Sequence, residues 1–361
     1  MKRTSFYKIY KELNAKLVPF AGFDMPVQYR SIIDETLAVR KSVGVFDVSH
    51  MGEIEIYGSD ALAFIQIVTT NDASKLTPGK VQYSAMCFND SGIVDDMLVY
   101  NFGTHYMLVV NASNKDKDFD WLKENLFGDV KLVDKSDEIA LIAVQGPNSL
   151  LTLQKLTGVN LSDMKYYTFA TGKLADVEMI ISRTGYTGEL GFELYFTSDI
   201  AISEKVWNAI FEAGKEFNIE PIGLAARDTL RLEMGFCLYG NDIDQTTNPL
   251  ESGLGWITKL DKGNFNGRDV MLKLKSEGLK RRLVGFEVED KKAFPRKGYE
   301  IFINGNPVGI VTSGTFSPTL DAGIGLGFVD ANKSEPGTQI SIKIRNQEAK
   351  AKIVKLPFVN K

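Results

Sequence analysis

Cysteine and histidine are both scarce in this chain. Its 361 residues hold two cysteines, Cys87 and Cys237, and two histidines, His50 and His105. With no CxxC spacing, a disulfide framework and a cysteine-built zinc site are excluded, and a reducing compartment is expected. HExxH sites and multi-histidine metal centres fail on count alone, so no metal is expected. Long apolar runs are missing as well. The longest is the six residues 139–144, against the ~20 that span a bilayer. Behind the charges of Met1-Lys-Arg-Thr-Ser-Phe-Tyr-Lys8 there is no apolar stretch, so no signal peptide is expected. Basic excess is the third absence. Lys plus Arg number 42 against 46 for Asp plus Glu, a net charge of −4, which offers no positive field to gather phosphates. Neither nucleic acid nor a membrane is therefore an expected partner, and a cytoplasmic location is. What is present is ordinary for a globular chain of two or three domains: 44% hydrophobic, 24% charged, 11% aromatic. Its chemistry must run on carboxylates, arginines and tyrosines.

Short β-rich segments recur at 53–57, 92–100, 106–110, 139–144 and 192–196, with helix-like stretches between them. Ser59 reads as an N-cap for residues 60–68, and Ser113 or Asn114 as the cap of a run through Leu122. Pro147, after Gly146, suits the first position of a helix reaching Leu156. Val206, Trp207, Ile210 and Phe211 repeat at helical spacing within 203–217. Strands and helices mix without a steady βαβ rhythm, which predicts an α+β fold. Residues 273–282 carry five basic residues around Gly278 and read as a solvated helix end and linker. Beyond them the texture turns all-β: residues 283–288 alternate, Asn304-Gly305 signals a type I′ hairpin, and Gly323, Gly325 and Gly327 punctuate another strand. The expected division is an α+β region over 1–275 and, over 280–361, a small β-barrel or sandwich.

Four constellations could carry chemistry. In residues 92–100 the pair Asp95-Asp96 sits on a strand, where alternation puts Asp96 with Val94, Leu98 and Tyr100, and Asp95 on the opposite face. Two adjacent carboxylates on a strand cannot form one dyad. Either both lie at an exposed edge, or one sits among aliphatic neighbours with its pKa raised. The segment Arg183-Thr-Gly-Tyr-Thr-Gly-Glu-Leu-Gly-Phe-Glu193 has glycines spaced for a tight turn or a close ligand approach, without the pattern of a phosphate loop. Glu193 either points outward from a half-buried strand or accepts two hydrogen bonds from an amidine-like edge such as a pterin or guanine. Arg227 and Arg231, four apart on an expected helix, share a face. They either bind an anion or pair with Asp228 and Glu233. His50, with Ser49 and Asp47 nearby in sequence, reads as structural and not as part of a relay.

Together these segments resemble the aminomethyltransferase, or T-protein, family of the glycine cleavage system, along nearly the whole chain. The match rests on Phe20-Ala-Gly-Phe-Asp-Met-Pro26, Val39-Arg-Lys-Ser-Val-Gly-Val-Phe-Asp-Val-Ser-His-Met-Gly52, Gly92-Ile-Val-Asp-Asp96, Gln145-Gly-Pro147, the 183–193 segment, Leu224-Ala-Ala-Arg-Asp228 and Thr312-Ser-Gly-Thr-Phe-Ser-Pro318. The resemblance implies three domains in a ring: a discontinuous folate-binding pair of mixed sheets and helices, interleaved within 1–275, and a C-terminal antiparallel barrel. It implies a tetrahydrofolate-dependent transfer. The aminomethyl group on the lipoyl arm of H-protein would be split into ammonia and 5,10-methylenetetrahydrofolate, leaving dihydrolipoyl H-protein. Tetrahydrofolate would serve as co-substrate, with no metal, and the other proteins of the system would be partners. By the same resemblance Asp96 is the catalytic carboxylate, acting on the folate N10 and on the iminium charge. Glu193 grips the pterin edge, Arg227 is the arginine of the folate site, and Tyr100 lines the pocket. Met51, Tyr83, Asn111, Tyr186 and Trp256 fall at positions of its wall.

The chain departs from the pattern in two places. It stops at Pro357-Phe-Val-Asn-Lys361, without the tail that gives some relatives a further folate contact, and Phe236 stands where some relatives carry Tyr. Two rival readings share the fold. A tetrahydrofolate-dependent demethylase of small methylated compounds often differs in the Asp-Asp segment or carries an oxidase half. A non-catalytic folate-binding protein of iron–sulfur assembly carries Lys-Gly-Cys-Tyr-x-Gly-Gln-Glu where this chain has Arg183-Thr-Gly-Tyr-Thr-Gly-Glu-Leu.

Overall fold

The computed structural model describes residues 1–291, 293–344 and 347–360. The chain divides into two interleaved compact units. One comprises Met1–Phe64, Ala73–Tyr83 and Met97–Asp228; the other comprises Ile65–Asp72, Ser84–Asp96 and Thr229–Lys361. The fold is α+β, ending in a closed barrel of six antiparallel strands.

In the first unit a six-stranded sheet runs in the order Phe169–Leu174, Val177–Ser182, Gly191–Thr197, Ile139–Gln145, Gly44–Asp47, Glu220–Pro221. The apolar run 139–144 becomes an interior strand of this sheet. Ala140, Ile142 and Val144 are fully buried on one face, and Leu141 and Ala143 on the other are at most 6% exposed. Burial on both faces is why the run does not alternate. Helix Ile200–Gly214 packs on the sheet through Val206, Trp207 and Ile210, which follow a helical period. Asp199 caps it by accepting from the Ile202 amide at 3.0 Å.

A five-stranded sheet runs in the order Lys80–Cys87, Ile93–Asn101, Tyr106–Val110, Gly52–Tyr57, Lys131–Asp134, and the division between units falls inside its first two strands. In the second unit, Arg281–Val288 pairs with both Ala322–Asp330 and Gln347–Val354 and so closes the barrel. Phe286, Ile301, Ile342 and Ile353 fill it. The glycines of Ala322–Asp330 make room for that filling. A Cβ on Gly325 would lie 2.5 Å from the Phe286 ring, and one on Gly327 2.7 Å from Ile301. Asn304 and Gly305 both have positive φ, 52° and 76°, as the type I′ hairpin demands.

Three local expectations change. Ser59 caps no helix: it donates instead to Asp129, and the helix begins at Ala61. Pro147 lies upstream of the helix Ser149–Gln154, in a turn where Gly146 has φ +128° and the Ser149 amide donates to Gly146 O. Residues 273–282 are no free linker. They are the end of helix Arg268–Glu277 and the start of the first barrel strand, with Lys273 paired to Glu277 and Arg281 to Glu251.

Candidate functional site

Strand Gly191–Thr197 separates its side chains by parity. Phe192, Leu194 and Phe196 enter the core, while Glu193 and Tyr195 face the other way. Register places Glu193 beside Ser182, and Ser182 beside Phe169. Thr184 Oγ1 donates to Glu193 Oε2 at 2.5 Å, and Tyr195 OH reaches the same oxygen at 3.4 Å. Behind them Tyr100 OH lies 2.9 Å from Tyr195 OH and 3.0 Å from Ser182 Oγ, which in turn lies 2.9 Å from Thr184 Oγ1. One proton per hydroxyl is enough to run this chain toward the carboxylate. Burial pushes the Glu193 carboxyl above its usual range, opposed by the Thr184 hydrogen bond and by the charge of Arg227. Oε1 accepts no hydrogen bond among the described residues. The result is a half-buried carboxylate held from one side with an acceptor oxygen to spare.

The glycines of the 183–193 segment owe their place to Gln145 as much as to a turn. A Cβ on Gly185 would lie 2.0 Å from the Gln145 amide, and one on Gly191 2.3 Å. That amide is buried, donates to Thr184 O at 3.2 Å and accepts from Thr187 Oγ1 at 3.0 Å. Only Gly188 has a left-handed backbone, φ +75°. Gln145 thus pins the loop that carries Thr184, and through it orients Glu193.

Arg227, on helix Leu224–Glu233, stacks over the Tyr186 ring at 4.6 Å. Its charge also reaches His50, whose imidazole is driven down to about 3, mainly by burial and then by Arg227. His50 is therefore neutral, and its Nδ1 has no partner among the described residues. Asp47 takes no part in a relay: it accepts from Ser49 at 2.6 Å, from Thr4 at 2.7 Å and from Tyr10.

Register pairs Gly52 with Val110, so Met51 and Asn111 lie at the same end of two neighbouring strands. Both are half-buried, as is Tyr83 on strand Lys80–Cys87, whereas Tyr100 is fully buried and reaches Glu193 only through other hydroxyls. Glu53, two residues on from Met51, is 1% exposed with no hydrogen bond to either carboxylate oxygen among the described residues. Burial raises its carboxyl well above the usual range, with Asp134 and Glu193 adding to the rise.

In the second unit, Ile93 begins the Asp-Asp strand under firm constraint. Its amide reaches Asp244 O and Thr247 O, and Tyr239 OH donates to its carbonyl at 3.0 Å. Gly92 is required there, since a Cβ would lie 2.1 Å from Gln245 O. Asp95 is fully buried and Asp96 half-buried, so the pair is on no exposed edge. The charge of Asp96 is close enough to Cys237 to help lift that thiol, after burial and Asp242. Trp256 is 59% exposed on the short helical turn Gly255–Ile257. Arg231 belongs to no ligand site: it donates to Asp242 at 2.7 Å, with both side chains buried.

The structure thus brings Glu193 together with Tyr100, and Arg227 with Tyr186. Sequence reasoning missed Ser182, Thr184 and Tyr195, although their period-two spacing toward and within the 183–193 segment was a usable signal. Among the described residues no group of three or more His, Cys, Asp or Glu is arranged for a metal ion, and no helix is long and apolar enough to cross a membrane.

Residues 6–262 match the GCVT N-terminal domain family, and residues 281–360 match the glycine cleavage T-protein C-terminal barrel domain family. An aminomethyltransferase of Halothermothrix orenii is 52% identical, covering 99% of this chain and all of that protein. One of Flavobacterium psychrophilum is 53% identical over the full length of both. The crystal structure of the glycine cleavage system aminomethyltransferase T from Bartonella henselae, at 32% identity, superposes with a TM-score of 0.92 over 99% of this chain and 98% of that one. This full-length agreement decides for aminomethyl transfer against the demethylase and iron–sulfur readings. The chain belongs to the aminomethyltransferase, or glycine cleavage T-protein, family.

Proposed function

We propose that this tetrahydrofolate-dependent aminomethyltransferase takes its one-carbon unit from the lipoyl arm of H-protein. In the proposed reaction the bond from the aminomethyl carbon to nitrogen breaks and ammonia leaves. The bond from the same carbon to the lipoyl sulfur breaks to give the thiol. Tetrahydrofolate supplies the two amine nitrogens that receive the carbon, giving the 5,10-methylene product.

The observation that carries the folate assignment is Glu193. A pterin presents adjacent N–H donors along one planar edge, and a carboxylate with an oxygen to spare suits that edge. Thr184 and Tyr195 hold the carboxylate in place, and Arg227 favours its ionised form against the cost of burial. Tyr186, under the Arg227 guanidinium, offers an aromatic face. Met51, Tyr83 and Asn111 are assigned to the pocket wall, Tyr100 supports the hydroxyl chain, and Trp256 is assigned a ligand contact. Asp96 is assigned the chemical role. Its carboxylate is to draw the proton from the folate N10 amine and to stabilise positive charge as ammonia departs.

Glu193→Gln replaces an acceptor oxygen by an N–H2 donor aimed at donors and removes the charge. Loss of a charge-assisted hydrogen bond costs about 1.5–3 kcal/mol, so tetrahydrofolate affinity is expected to fall about 10- to 100-fold by titration calorimetry. An unchanged affinity sinks the pterin assignment. The same carboxylate without its ligand is a burden on the fold, so the thermal midpoint of the free protein is expected to hold or rise.

A further inference from the structure

Two buried charged side chains leave one helix for the two halves of a single contact. Helix Ile32–Lys41 carries Glu35 in its first turn and Arg40 in its last, 1% and 8% exposed. Five residues turn a helix by about 500°, so the two side chains set out in different directions. The Glu35 carboxylate collects three backbone amides: Oε1 accepts from Tyr29 at 2.7 Å and Arg30 at 2.8 Å, and Oε2 from Gly223 at 2.7 Å. Gly223 opens the helix that bears Arg227, and its carbonyl accepts the Arg227 amide at 3.1 Å. A carboxylate there also meets the positive end of that helix. No side chain fits at Gly223, since a Cβ would lie 2.4 Å from Val27 O, so the helix head is held on two sides. Arg40 reaches the other way, donating to Thr187 O at 2.6 Å and to Glu189 Oε1 at 2.9 Å. Thr187 follows Tyr186 directly in the 183–193 loop. The two ends of one helix thus hold the bearer of Arg227 and the bearer of Tyr186, whose guanidinium–ring stack measures 4.6 Å.

We propose that Glu35 and Arg40 are positioning residues for the ligand site, which fix the Arg227–Tyr186 stack from the two ends of helix Ile32–Lys41. The proposal rests on the reading of Glu193 and Arg227 given above and adds to it what sets the place of the arginine. Neither half of the stack fixes it alone. Arg227 has a long side chain rich in rotamers, and Tyr186 stands between Gly185 and Gly188. The effect of a charge on a buried carboxylate depends on the distance between them, and the Arg227 charge is one of the influences that oppose burial at Glu193. Buried charges held by several hydrogen bonds are costly to displace, which makes this brace stiff.

Tetrahydrofolate affinity, measured by titration calorimetry with and without the arginine, tests this. Glu35→Gln keeps the length of the side chain and one acceptor oxygen but turns an N–H2 donor on backbone amides. Arg40→Met keeps much of the volume and loses every donor. Each is expected to weaken tetrahydrofolate binding about fivefold or more in the otherwise wild-type protein, the scale of coupled neighbours. Arg227→Met is expected to weaken it as well. In the Arg227→Met background, neither change is expected to cost more than about a further twofold, because a residue that acts through Arg227 has nothing left to position. Their effects on the melting point of the ligand-free protein are expected to persist in that background, since support of the fold does not pass through the arginine. Where Glu35→Gln or Arg40→Met does not fold, Glu35→Asp and Arg40→Lys keep the charge and are read in the same way. Wild-type affinity in either single variant overturns the proposal. So do affinity losses that persist in full beside Arg227→Met, for these report general damage to the fold. If Arg227→Met or Glu193→Gln binds tetrahydrofolate as tightly as wild type, the reading of the site beneath the proposal fails, a result distinct from the other two.

Discussion

Asp96→Asn is expected to slow ammonia release by about 10²–10⁴-fold, the range for a lost acid–base group, while leaving tetrahydrofolate affinity close to wild type. The substitution keeps the shape of the side chain and removes its charge. A group that accepts a proton and faces developing positive charge acts more strongly on the transition state than on the bound ground state, so the loss falls on rate. Single-turnover release of ammonia from aminomethyl-loaded H-protein, at saturating folate, is the measurement. Asp95→Asn is the control, and the structure predicts a different kind of effect for it. Asp95 is fully buried, whereas Asp96 is half-buried on the opposite face of the strand. A fully buried polar side chain that loses its bonding pattern costs about 1–3 kcal/mol. Asp95→Asn should therefore lower the melting point and spare the rate of the folded fraction. Should Asp95→Asn abolish turnover while Asp96→Asn stays near wild type, the assignment of faces and the mechanism built on it are both wrong.

Which of the two aspartates is buried was not readable from the sequence, but that they lie on opposite faces was, because strand alternation is a local rule. So were the apolar strand at 139–144, the Asn304-Gly305 hairpin and the helical period around Trp207, each set by neighbours within a few residues. What local rules could not supply was the identity of distant partners. The glycines at 185 and 191 looked like a turn or a ligand approach, yet a Cβ at either would strike the amide of Gln145, roughly forty residues away in the chain. Ser59 had the chemistry of a cap, but Asp129 offers its hydroxyl and amide a carboxylate that a helix end cannot match. Glu193 was singled out, while the hydroxyls of Ser182, Thr184 and Tyr195 that hold it were not. Their period-two spacing was the one local signal, and parity by itself does not say whether a hydroxyl faces a carboxylate or water.

Arg231 shows the same limit with a larger energy attached. Helical spacing put Arg231 on one face with Arg227 and offered Asp228 and Glu233 as its partners. The Glu233 carboxylate instead accepts from Ser317 at 2.5 Å and Thr319 at 3.0 Å, while its backbone carbonyl accepts from the amides of Phe358 and Val359. Arg231 turns to Asp242, and it also donates to Phe236 O and Ser313 Oγ, both at 2.9 Å. Asp242 also accepts from Thr312 Oγ1 at 2.5 Å and from the Leu238 amide at 3.0 Å. With exposures of 1% and 0%, neither side chain of the pair can turn to water if the other is lost. Removing one partner of such a pair strands the other charge and costs about 3–5 kcal/mol, a large share of the roughly 5–15 kcal/mol that holds a folded protein together. Arg231→Leu is therefore expected to lower the urea midpoint sharply, and Asp242→Leu to do the same. The double variant strands no charge and should be less destabilised than the sum of the two singles. Equilibrium urea unfolding of the three variants reads this directly. Strictly additive losses would mean that each residue acts through its other hydrogen bonds, Ser313 and Thr312 among them, and that the ion pair itself contributes no coupling.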